Sequence, residues 1–367
     1  MLDIDSIQHR FDTFHSLMAN RIREILLVSS VYDAYILEED GTLEERIWQQ
    51  YADRGLSTMP RIRRVSDLNH ALDVIGSVKI ELVLAIVHDE TEPVSDLIRK
   101  VKEIEPNLPV AILATDPSSL NRLSDLSQQI GVGRIFLWQN DPTLLVAIIK
   151  YFEDMANADH DTHVGAVRVV LLVEDSIADY SRMLPAIYTA IMERTRRLID
   201  EGLNHLHRQL RMRSRAKIVL ADNYGEAVNL FQRYRSYILG VVTDVRFAKD
   251  GRLNDNAGFE LVRSLRRQAH ELPICILSAE PQKNRSQALE LGTYFIDKNS
   301  SRLTDDLQRF LKEYMGFGDF IFRSSTGPEI ARAGSLHELI ERLREVPIES
   351  ILYHAQQQHF SHWMMAR

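Results

Sequence analysis

The chain has 367 residues, a formal net charge of −8 and an apolar fraction of 45%, so it is long enough for two or three domains that each bury a core. The mild, dispersed acidity does not favour binding to nucleic acid or to an anionic membrane surface, and no apolar stretch approaches the length of a membrane span. The single cysteine, Cys275, excludes an internal disulfide and is typical of a protein from the reducing cytoplasm.

Residues 1–20 predict an amphipathic helix. Its apolar side chains recur three and four positions apart and form one stripe: Ile4, Ile7, Phe11, Phe14 and Met18. Such a stripe packs either on the following domain or on the same helix of a second copy, and the spacing does not decide between the two.

Residues 21–154 predict a first α/β domain, because short apolar runs alternate there with amphipathic helical segments. The strand-like runs are ILLVSS, RIRRV, ELVLAIV, PVAILAT and RIFLWQ. Residues 155–166 follow as a polar segment whose composition predicts an irregular linker. This segment contains His160, Asp161 and His163, but nothing in its pattern fixes their geometry for a metal.

Residues 167–316 repeat the alternation of strands and helices and place polar residues directly at the ends of buried strand-like runs. These residues are Glu174 and Asp175, Asp244, Ser278 and Lys298. Ligand-binding groups of parallel sheets collect at the carboxyl ends of the strands. The pattern therefore predicts that the five side chains meet in one cleft.

The residue types in this predicted cleft are those of a phosphoryl-accepting site. Asp244 would be the nucleophile, and its carboxylate would become an acyl phosphate. Glu174 and Asp175 offer the carboxylate oxygens that Mg²⁺ prefers, and the cation would keep three crowded carboxylates ionised. Lys298 supplies a fixed positive charge for a phosphoryl oxygen. Ser278 offers a hydroxyl that would turn toward the phosphoryl group once it is present.

Residues 167 to about 315 resemble the receiver domain of two-component response regulators. The resemblance rests on the acidic pair in LLVEDS, the acceptor in VVTDVRF, the hydroxyl in ICILSAE and the lysine in YFIDKNS. It implies a CheY-like (flavodoxin-like) doubly wound parallel five-stranded sheet, Mg²⁺ as cofactor, and a histidine kinase or phosphotransfer protein as donor. It also implies that Phe295 is a switch aromatic and that the backbone carbonyl of Arg246 completes the metal shell.

Two features depart from the pattern of this family. Asn299 follows the lysine where the family usually has proline, and the loop from Asp244 to Gly258 is longer than usual. The side chain of Arg246, two residues past the acceptor, would either affect hydrolysis of the acyl phosphate or point to solvent.

The first domain lacks the site chemistry when it is aligned with the second as an internal tandem repeat. The chemical positions fall on other residue types: Ser29 and Ser30 for the acidic pair, Ile86 or Val87 for the acceptor, Ala114 for the hydroxyl and Trp138 for the lysine. Residues 21–154 are therefore expected to be a degenerate pseudo-receiver with a structural or regulatory role. A repurposed metal site stays open there, because three ligand types remain nearby: Asp33, His88 and Asp116.

Residues 176–213 are about twice as long as one receiver helix requires and predict an extended first helix. Pro185 and Gly202 are positions where this helix could bend or break. Its far end continues an apolar stripe that needs a covering partner: Ile199, Leu203, Leu206 and Leu210. The partner could be the first domain, a second copy of the chain or a helix elsewhere in the chain, and a homodimer contact is favoured. The many arginines of the segment alternate with acids, so a solvated helix face is expected rather than a nucleic-acid site.

Residues 317–367 predict a small α+β extension with two short strands, a capping box at Ser335 and Glu338, and two helices. Its histidines are too irregularly spaced for one helix face: His354, His359 and His362. The domain order, GFGDFIFR and HFSHWMMAR also resemble, more loosely, the N-terminal regulatory region of bacterial proteins with a phosphoenolpyruvate- or pyruvate-binding kinase-like domain. This second resemblance implies that the chain is the N-terminal part of a longer protein.

The sequence thus predicts a cytoplasmic phosphorelay protein without enzymatic activity beyond its own phosphorylation and dephosphorylation, and without a nucleic-acid or membrane partner. The alternative is an unphosphorylated scaffold, or a regulatory module of a larger phosphoenolpyruvate- or pyruvate-utilising kinase-like protein. A phosphatase of the haloacid dehalogenase type is disfavoured, because Arg246 stands where that chemistry needs a second acid. A nucleotide-binding enzyme is disfavoured too, because the sequence has no GxxxxGK[ST] loop to hold phosphates.

Overall fold

The computed structural model describes residues 16–30, 43–53, 59–87, 92–124, 133–139, 141–200, 213–324 and 327–366. The chain divides into two compact units. The first contains Ala19–Ala156 together with Ser176–Pro185. The second contains Asn157–Asp175 and Ala186–Arg367, together with the segment that ends at Met18.

The first unit is built on a parallel five-stranded sheet. Its strands are β1 (Glu24–Val28), β2 (Arg61–Val65), β3 (Leu82–Val87), β4 (Val110–Ala114) and β5 (Arg134–Leu137). Between and after them lie the helices α1 (Leu43–Asp53), α2 (Leu68–Ser77), α3 (Glu92–Ile104) and α4 (Thr143–Gly165), and the end of α4 from Asn157 on belongs to the second unit. The strand order is β2-β1-β3-β4-β5. Every residue of β3 and β4 is buried, as expected for strands covered on both faces.

The second unit repeats this arrangement. Its strands are β6 (Val169–Val173), β7 (Lys217–Ala221), β8 (Ile238–Asp244), β9 (Phe247–Lys249), β10 (Arg252–Asn254), β11 (Ile274–Ser278) and β12 (Tyr294–Asp297). Its helices are α5 (Ile177–Asp200), α6 (Tyr224–Tyr234), α7 (Ala257–Arg266), α8 (Pro281–Glu290) and α9 (Leu303–Glu313), and the beginning of α5, up to Pro185, belongs to the first unit. The parallel sheet has the order β7-β6-β8-β11-β12.

Both sheets therefore have the strand order 2-1-3-4-5 when the strands of each sheet are numbered along the chain. This order defines the flavodoxin-like doubly wound fold, in which the strand order reverses beside the first strand. The predicted fold class, two such α/β domains in tandem, is confirmed.

The enlarged loop after Asp244 is an ordered hairpin rather than a loose segment. Strands β9 and β10 pair antiparallel, and Asp250 and Gly251 form the two-residue turn with positive φ angles of 51° and 75°. Phe247 is fully buried, and Ala248 forms a bridge to Asn223. Packing of the first strand thus fixes the hairpin to the body of the second unit.

The prediction of an irregular linker at residues 155–166 is wrong, because α4 continues as a helix to Gly165. The polar composition suggested a loop, yet Asp161 on this helix is fully buried. Its Oδ2 lies 3.0 Å from Nζ of Lys217, and its carboxylate accepts a hydrogen bond from the backbone N–H of Met18 at 3.2 Å. One of the polar residues of this segment is therefore half of a buried ion pair.

Helix α5 runs without interruption from Ile177 to Asp200, and Pro185 does not break it. Residues 201–212 lie outside the described residues, as does the side chain of Ile199. The extension of the helix to residue 213, a break at Gly202 and the homodimer contact along its apolar stripe therefore stay predictions. The same holds for the helix predicted within residues 1–20, of which the structure describes only the end.

The C-terminal extension has the two predicted strands but three helices where the sequence predicted two, because the second predicted helix is interrupted at Gln357 and Gln358, the latter in the left-handed conformation. They are β13 (Phe320–Arg323), β14 (Glu329–Ala333), α10 (Leu336–Arg342), α11 (Ile348–Gln356) and α12 (His359–Met365). The capping box is formed, since Ser335 Oγ accepts the N–H of Glu338 at 3.1 Å and the Glu338 carboxylate accepts the N–H of Gly334 at 2.8 Å. A small separate core holds these elements together: Phe320, Phe322, Ala333, Leu339 and Trp363. In the part of the chain that is described, no helix combines the length and apolarity needed to cross a membrane.

Two of the C-terminal histidines lie on different helices and contact each other. Their spacing, judged for a single helix, did not indicate this contact. His354 on α11 is buried, and its Nδ1 lies 2.9 Å from Nδ1 of His359 on α12. Its Nε2 accepts the backbone N–H of Arg323 at 2.9 Å. Burial, then the nearby His359 and Arg323, lower the pKa of His354 to about 4. The folded protein therefore keeps this imidazole neutral.

We expect the free energy of unfolding to fall as the pH decreases from about 6.5 to about 4, because the unfolded chain binds a proton at His354 before the folded chain does. One such proton costs at most about 1.4 kcal/mol per pH unit. His354→Gln should remove this part of the pH dependence in urea unfolding. His337 is an exposed histidine on α10, so His337→Gln should behave as the wild type. An unchanged pH dependence in His354→Gln would contradict the assignment.

Candidate phosphoryl-acceptor site

The five site residues predicted from the sequence all lie at the carboxyl edge of the sheet in the second unit. Glu174 and Asp175 follow β6, and Asp244 is the last residue of β8. Ser278 ends β11, and Lys298 follows β12. These strands pair in parallel, so their carboxyl ends coincide.

Lys298 joins two of the three carboxylates by ion pairs. Its Nζ lies 3.0 and 2.9 Å from the two carboxylate oxygens of Glu174, and 3.3 Å from Oδ2 of Asp244. All three side chains are at least nine-tenths buried. A charge that is shielded from water interacts more strongly with its neighbours, so Lys298 is a preorganised cation beside Asp244.

The acidic residues are close enough to share a cation. One oxygen from each of Glu174, Asp175 and Asp244 lies within 4.8 Å of the others, and among the described residues no other group of three such side chains meets this distance. The donor set consists of carboxylate oxygens alone, which suits a hard cation such as Mg²⁺. The three residues therefore fit the predicted ion by the chemistry of their donors.

Burial and crowding disfavour negative charge at this cleft. Burial first, and then repulsion from Asp244, raise the pKa of Asp175 to about 6, although Lys298 opposes the shift. Burial also raises the pKa of Asp244, against the opposing effects of Lys298 and of the backbone N–H groups of Val245 and Arg246. A bound cation would reverse this balance and hold both groups ionised.

A close backbone approach brings the start of α7 against Asp244. A Cβ atom at Gly258 would lie 2.0 Å from the carbonyl oxygen of Asp244. The N–H of Gly258 donates to the carbonyl of Val245 at 2.9 Å. Only glycine fits this position, so the end of the long loop is fixed next to Asp244.

Ser278 is buried beside the site and makes two hydrogen bonds toward α8. Its Oγ accepts the side-chain N–H of Asn284 at 2.8 Å and the backbone N–H of Glu280 at 3.0 Å. Asn284 is itself buried. The hydroxyl predicted to contact a phosphoryl group is thus engaged by another helix in this structure.

Phe295 lies in β12, opposite Ile276 of β11, and packs partly buried against the main core of the unit. The guanidinium of Arg285 lies 5.3 Å from the centre of its ring. This is the distance of a cation–π contact between α8 and β12. The predicted switch aromatic thus contacts the same helix that engages Ser278.

Arg246 does not join the charged cluster with its side chain. The guanidinium is exposed and lies 3.9 Å from the carboxylate of Asp255, which is exposed as well. The sequence left two possibilities for this side chain, an effect on hydrolysis of the acyl phosphate or an orientation toward solvent. The geometry fits the orientation toward solvent. The role of the Arg246 carbonyl as a metal ligand stays a prediction.

Asn299, the departure from the family pattern after the lysine, forms a specific contact. Its side-chain N–H donates to the carbonyl of Ala279 at 2.7 Å, and its backbone N–H donates to Asp297 at 2.9 Å. The residue that follows Lys298 therefore bonds to the residue that follows Ser278. This contact joins the two loops at the edge of the sheet.

The corresponding edge of the first unit carries other groups. Ser29 is buried after β1, and Val87 and Ala114 are the last residues of β3 and β4. Trp138 follows β5, and its backbone N–H donates a hydrogen bond to the carbonyl of Ala114. Asp116 accepts a hydrogen bond from Ser118 N–H and caps a short helical turn. Residues 33 and 88 lie outside the described residues, so the repurposed metal site stays a prediction.

The sequence analysis did not identify Asn284 as a residue of the site, and it did not predict the contact that Asn299 makes. A signal for Asn284 existed, since it stands four residues before Ala288, and the two form the buried face of α8. A polar side chain on such a face needs a partner. The identity of the partner, Ser278, follows only from the folded chain.

No protein-family model and no curated protein matches the chain. Among solved structures, the chain is similar to two structures of proteins described as two-component system response regulator/GGDEF domain proteins. Their identities are 19% and 18%, each with a TM-score of 0.31 over 78% of this chain and 95% of the other. An ATP citrate lyase of Methanosaeta concilii gives 9% identity and a TM-score of 0.39 over 91% of this chain and 56% of that one. These similarities are too weak to indicate the function of the chain.

Proposed function

We propose that the second unit is a receiver domain that accepts a phosphoryl group on Asp244, and that the chain is a response regulator in phosphorelay signal transduction. The observation that supports this most strongly is the convergence of Glu174, Asp175, Asp244 and Lys298 in one cleft. Glu174, Asp244 and Lys298 are buried and Asp175 is partly buried, and the burial of ionisable groups costs free energy. Phosphoryl transfer to Asp244 would use the charges of all four groups.

In the proposed reaction, a carboxylate oxygen of Asp244 attacks the phosphorus of a phosphohistidine on a kinase or phosphotransfer protein. The new bond is an acyl phosphate, and the phosphorus–nitrogen bond of the donor breaks with its electron pair returning to the imidazole. Lys298 stands beside the acceptor, where its charge would stabilise the incoming phosphoryl oxygens. Glu174, Asp175 and Asp244 would hold Mg²⁺, which supplies charge neutralisation for the phosphoryl group.

The signalling step proposed here is a change at α8 and β12. The hydroxyl of Ser278 turns toward the phosphoryl oxygens, and Phe295 follows into the space near it. Both residues already contact α8, Ser278 through Asn284 and Phe295 through Arg285. The first unit, which lacks the acceptor chemistry at the aligned positions, is proposed to act as a pseudo-receiver without phosphorylation.

Binding of beryllofluoride, a phosphoryl mimic, tests the acceptor directly. We expect a bound fluorine NMR signal that requires Mg²⁺ in the wild type and is lost in Asp244→Asn. Asp255→Asn is the matched control, because Asp255 is an exposed acid that pairs with Arg246 just beyond the acceptor. This control should bind as the wild type. No signal in the wild type would favour the scaffold alternative.

A further inference from the structure

The hydroxyl of Ser278 is saturated as an acceptor in this structure. A serine hydroxyl has two acceptor sites and one donor. The amide of Asn284 and the N–H of Glu280 fill both acceptor sites, at 2.8 and 3.0 Å. Ser278 and Asn284 are only 2% and 5% exposed, so water does not readily replace the hydrogen bond between them. The hydroxyl is held by the beginning of α8.

The first turn of α8 depends on the same hydroxyl. Helix α8 starts at Pro281, and Glu280 at its N-cap makes no side-chain capping bond. The N–H of Glu280 bonds to Ser278 Oγ instead, while the Glu280 carbonyl accepts the N–H of Asn284 at 3.1 Å. If the hydroxyl moved, the N–H of Glu280 at the start of α8 and the buried amide of Asn284 would therefore each lose a hydrogen-bond partner.

We propose that Asn284 is a positioning residue that holds Ser278 in the resting orientation and so sets the equilibrium between the resting and the phosphorylated conformation. The inference rests on the proposed function of Asp244. A hydroxyl that turns toward the phosphoryl group must give up its bond to Asn284. The strength of that bond favours the resting state, and a ligand at Asp244 must overcome it.

Asn299 provides the comparison within the same loop. Its amide bonds to the carbonyl of Ala279, the residue between Ser278 and Glu280, at 2.7 Å. Asn299 thus holds the backbone of this loop and does not bond to the hydroxyl. Loss of Asn299 loosens the loop whether or not residue 278 has a hydroxyl, whereas loss of Asn284 acts through the hydroxyl.

A double-mutant cycle separates these roles. The affinity for beryllofluoride with Mg²⁺ is measured in the wild type, Asn284→Ala, Ser278→Ala and the double variant. The net worth of one hydrogen bond predicts that Asn284→Ala binds about 2- to 10-fold more tightly than the wild type. In the Ser278→Ala background, Asn284→Ala should leave the affinity unchanged, because no hydroxyl remains to be held. Asn299→Ala should change the affinity equally in both backgrounds.

Asn284→Leu, which keeps the approximate shape of the side chain, serves as the second variant if Asn284→Ala does not fold, and the same tightening is expected. Unchanged or weaker binding in the Asn284 variants would overturn the inference. An equal effect with and without the Ser278 hydroxyl would overturn it as well, since that result indicates a structural role. If the wild type does not bind beryllofluoride, the proposed function fails, and this inference fails with it.

Discussion

Replacement of Lys298 by methionine is expected to slow phosphorylation by acetyl phosphate about 10²–10³-fold, the usual cost of removing one preorganised charge from a transition state. Nζ of Lys298 lies 3.3 Å from carboxylate oxygen Oδ2 of Asp244, and the side chain of Lys298 is almost fully buried. Methionine has a similar length and no charge. The rate of phosphoryl incorporation, followed by intact mass with Mg²⁺ present, gives the comparison.

Two further variants make this test specific. Lys298→Arg keeps the positive charge with a different shape and should lie between the wild type and Lys298→Met. Lys312 forms a surface ion pair with Glu193 at 3.0 Å, so Lys312→Met should phosphorylate at the wild-type rate. A Lys298→Met protein that is folded and phosphorylated at the wild-type rate would remove Lys298 from the proposed chemistry.

Asp161→Asn should lower the free energy of unfolding by about 3–5 kcal/mol, because it leaves the ammonium of Lys217 buried without its anionic partner. Both side chains are inaccessible to solvent, and their atoms lie 3.0 Å apart. The loss is measured by chemical unfolding at neutral pH. It is large relative to the total stability of a typical domain.

Asp159 offers a matched control on the same helix. It pairs with Arg233, but both side chains are at least half exposed, so Asp159→Asn should cost no more than about 1 kcal/mol. Replacement of both partners, as in Asp161→Leu with Lys217→Met, should recover most of the stability, because no unpaired charge remains. Equal losses from Asp161→Asn and Asp159→Asn would contradict the importance of the buried pair.

The sequence was sufficient for the fold class and for the grouping of the acidic residues with Lys298. Both follow from one rule, that buried parallel strands end at a common edge, and the apolar runs before Glu174, Asp244, Ser278 and Lys298 mark those ends. The local sequence pattern shows where each strand ends, because each strand is one continuous segment of the sequence. The function of these residues stays a proposal.

The contacts that the sequence did not predict join residues from different elements. Asp161 looked like a linker residue because its partner, Lys217, lies far along the chain on strand β7. His354 and His359 meet because two short helices turn toward each other, which no spacing along one helix encodes. Asn284 is an ordinary polar residue of α8 until the fold places Ser278 next to it.

Intact-mass analysis after incubation with acetyl phosphate, in the wild type and in Asp244→Asn, with and without Mg²⁺, determines whether the chain accepts a phosphoryl group on Asp244. We expect a single phosphoryl adduct on the wild type that requires Mg²⁺, maps to Asp244 and is absent from the variant. A wild type that stays unmodified, or an adduct that persists in Asp244→Asn, would show that Asp244 is not a phosphoryl acceptor.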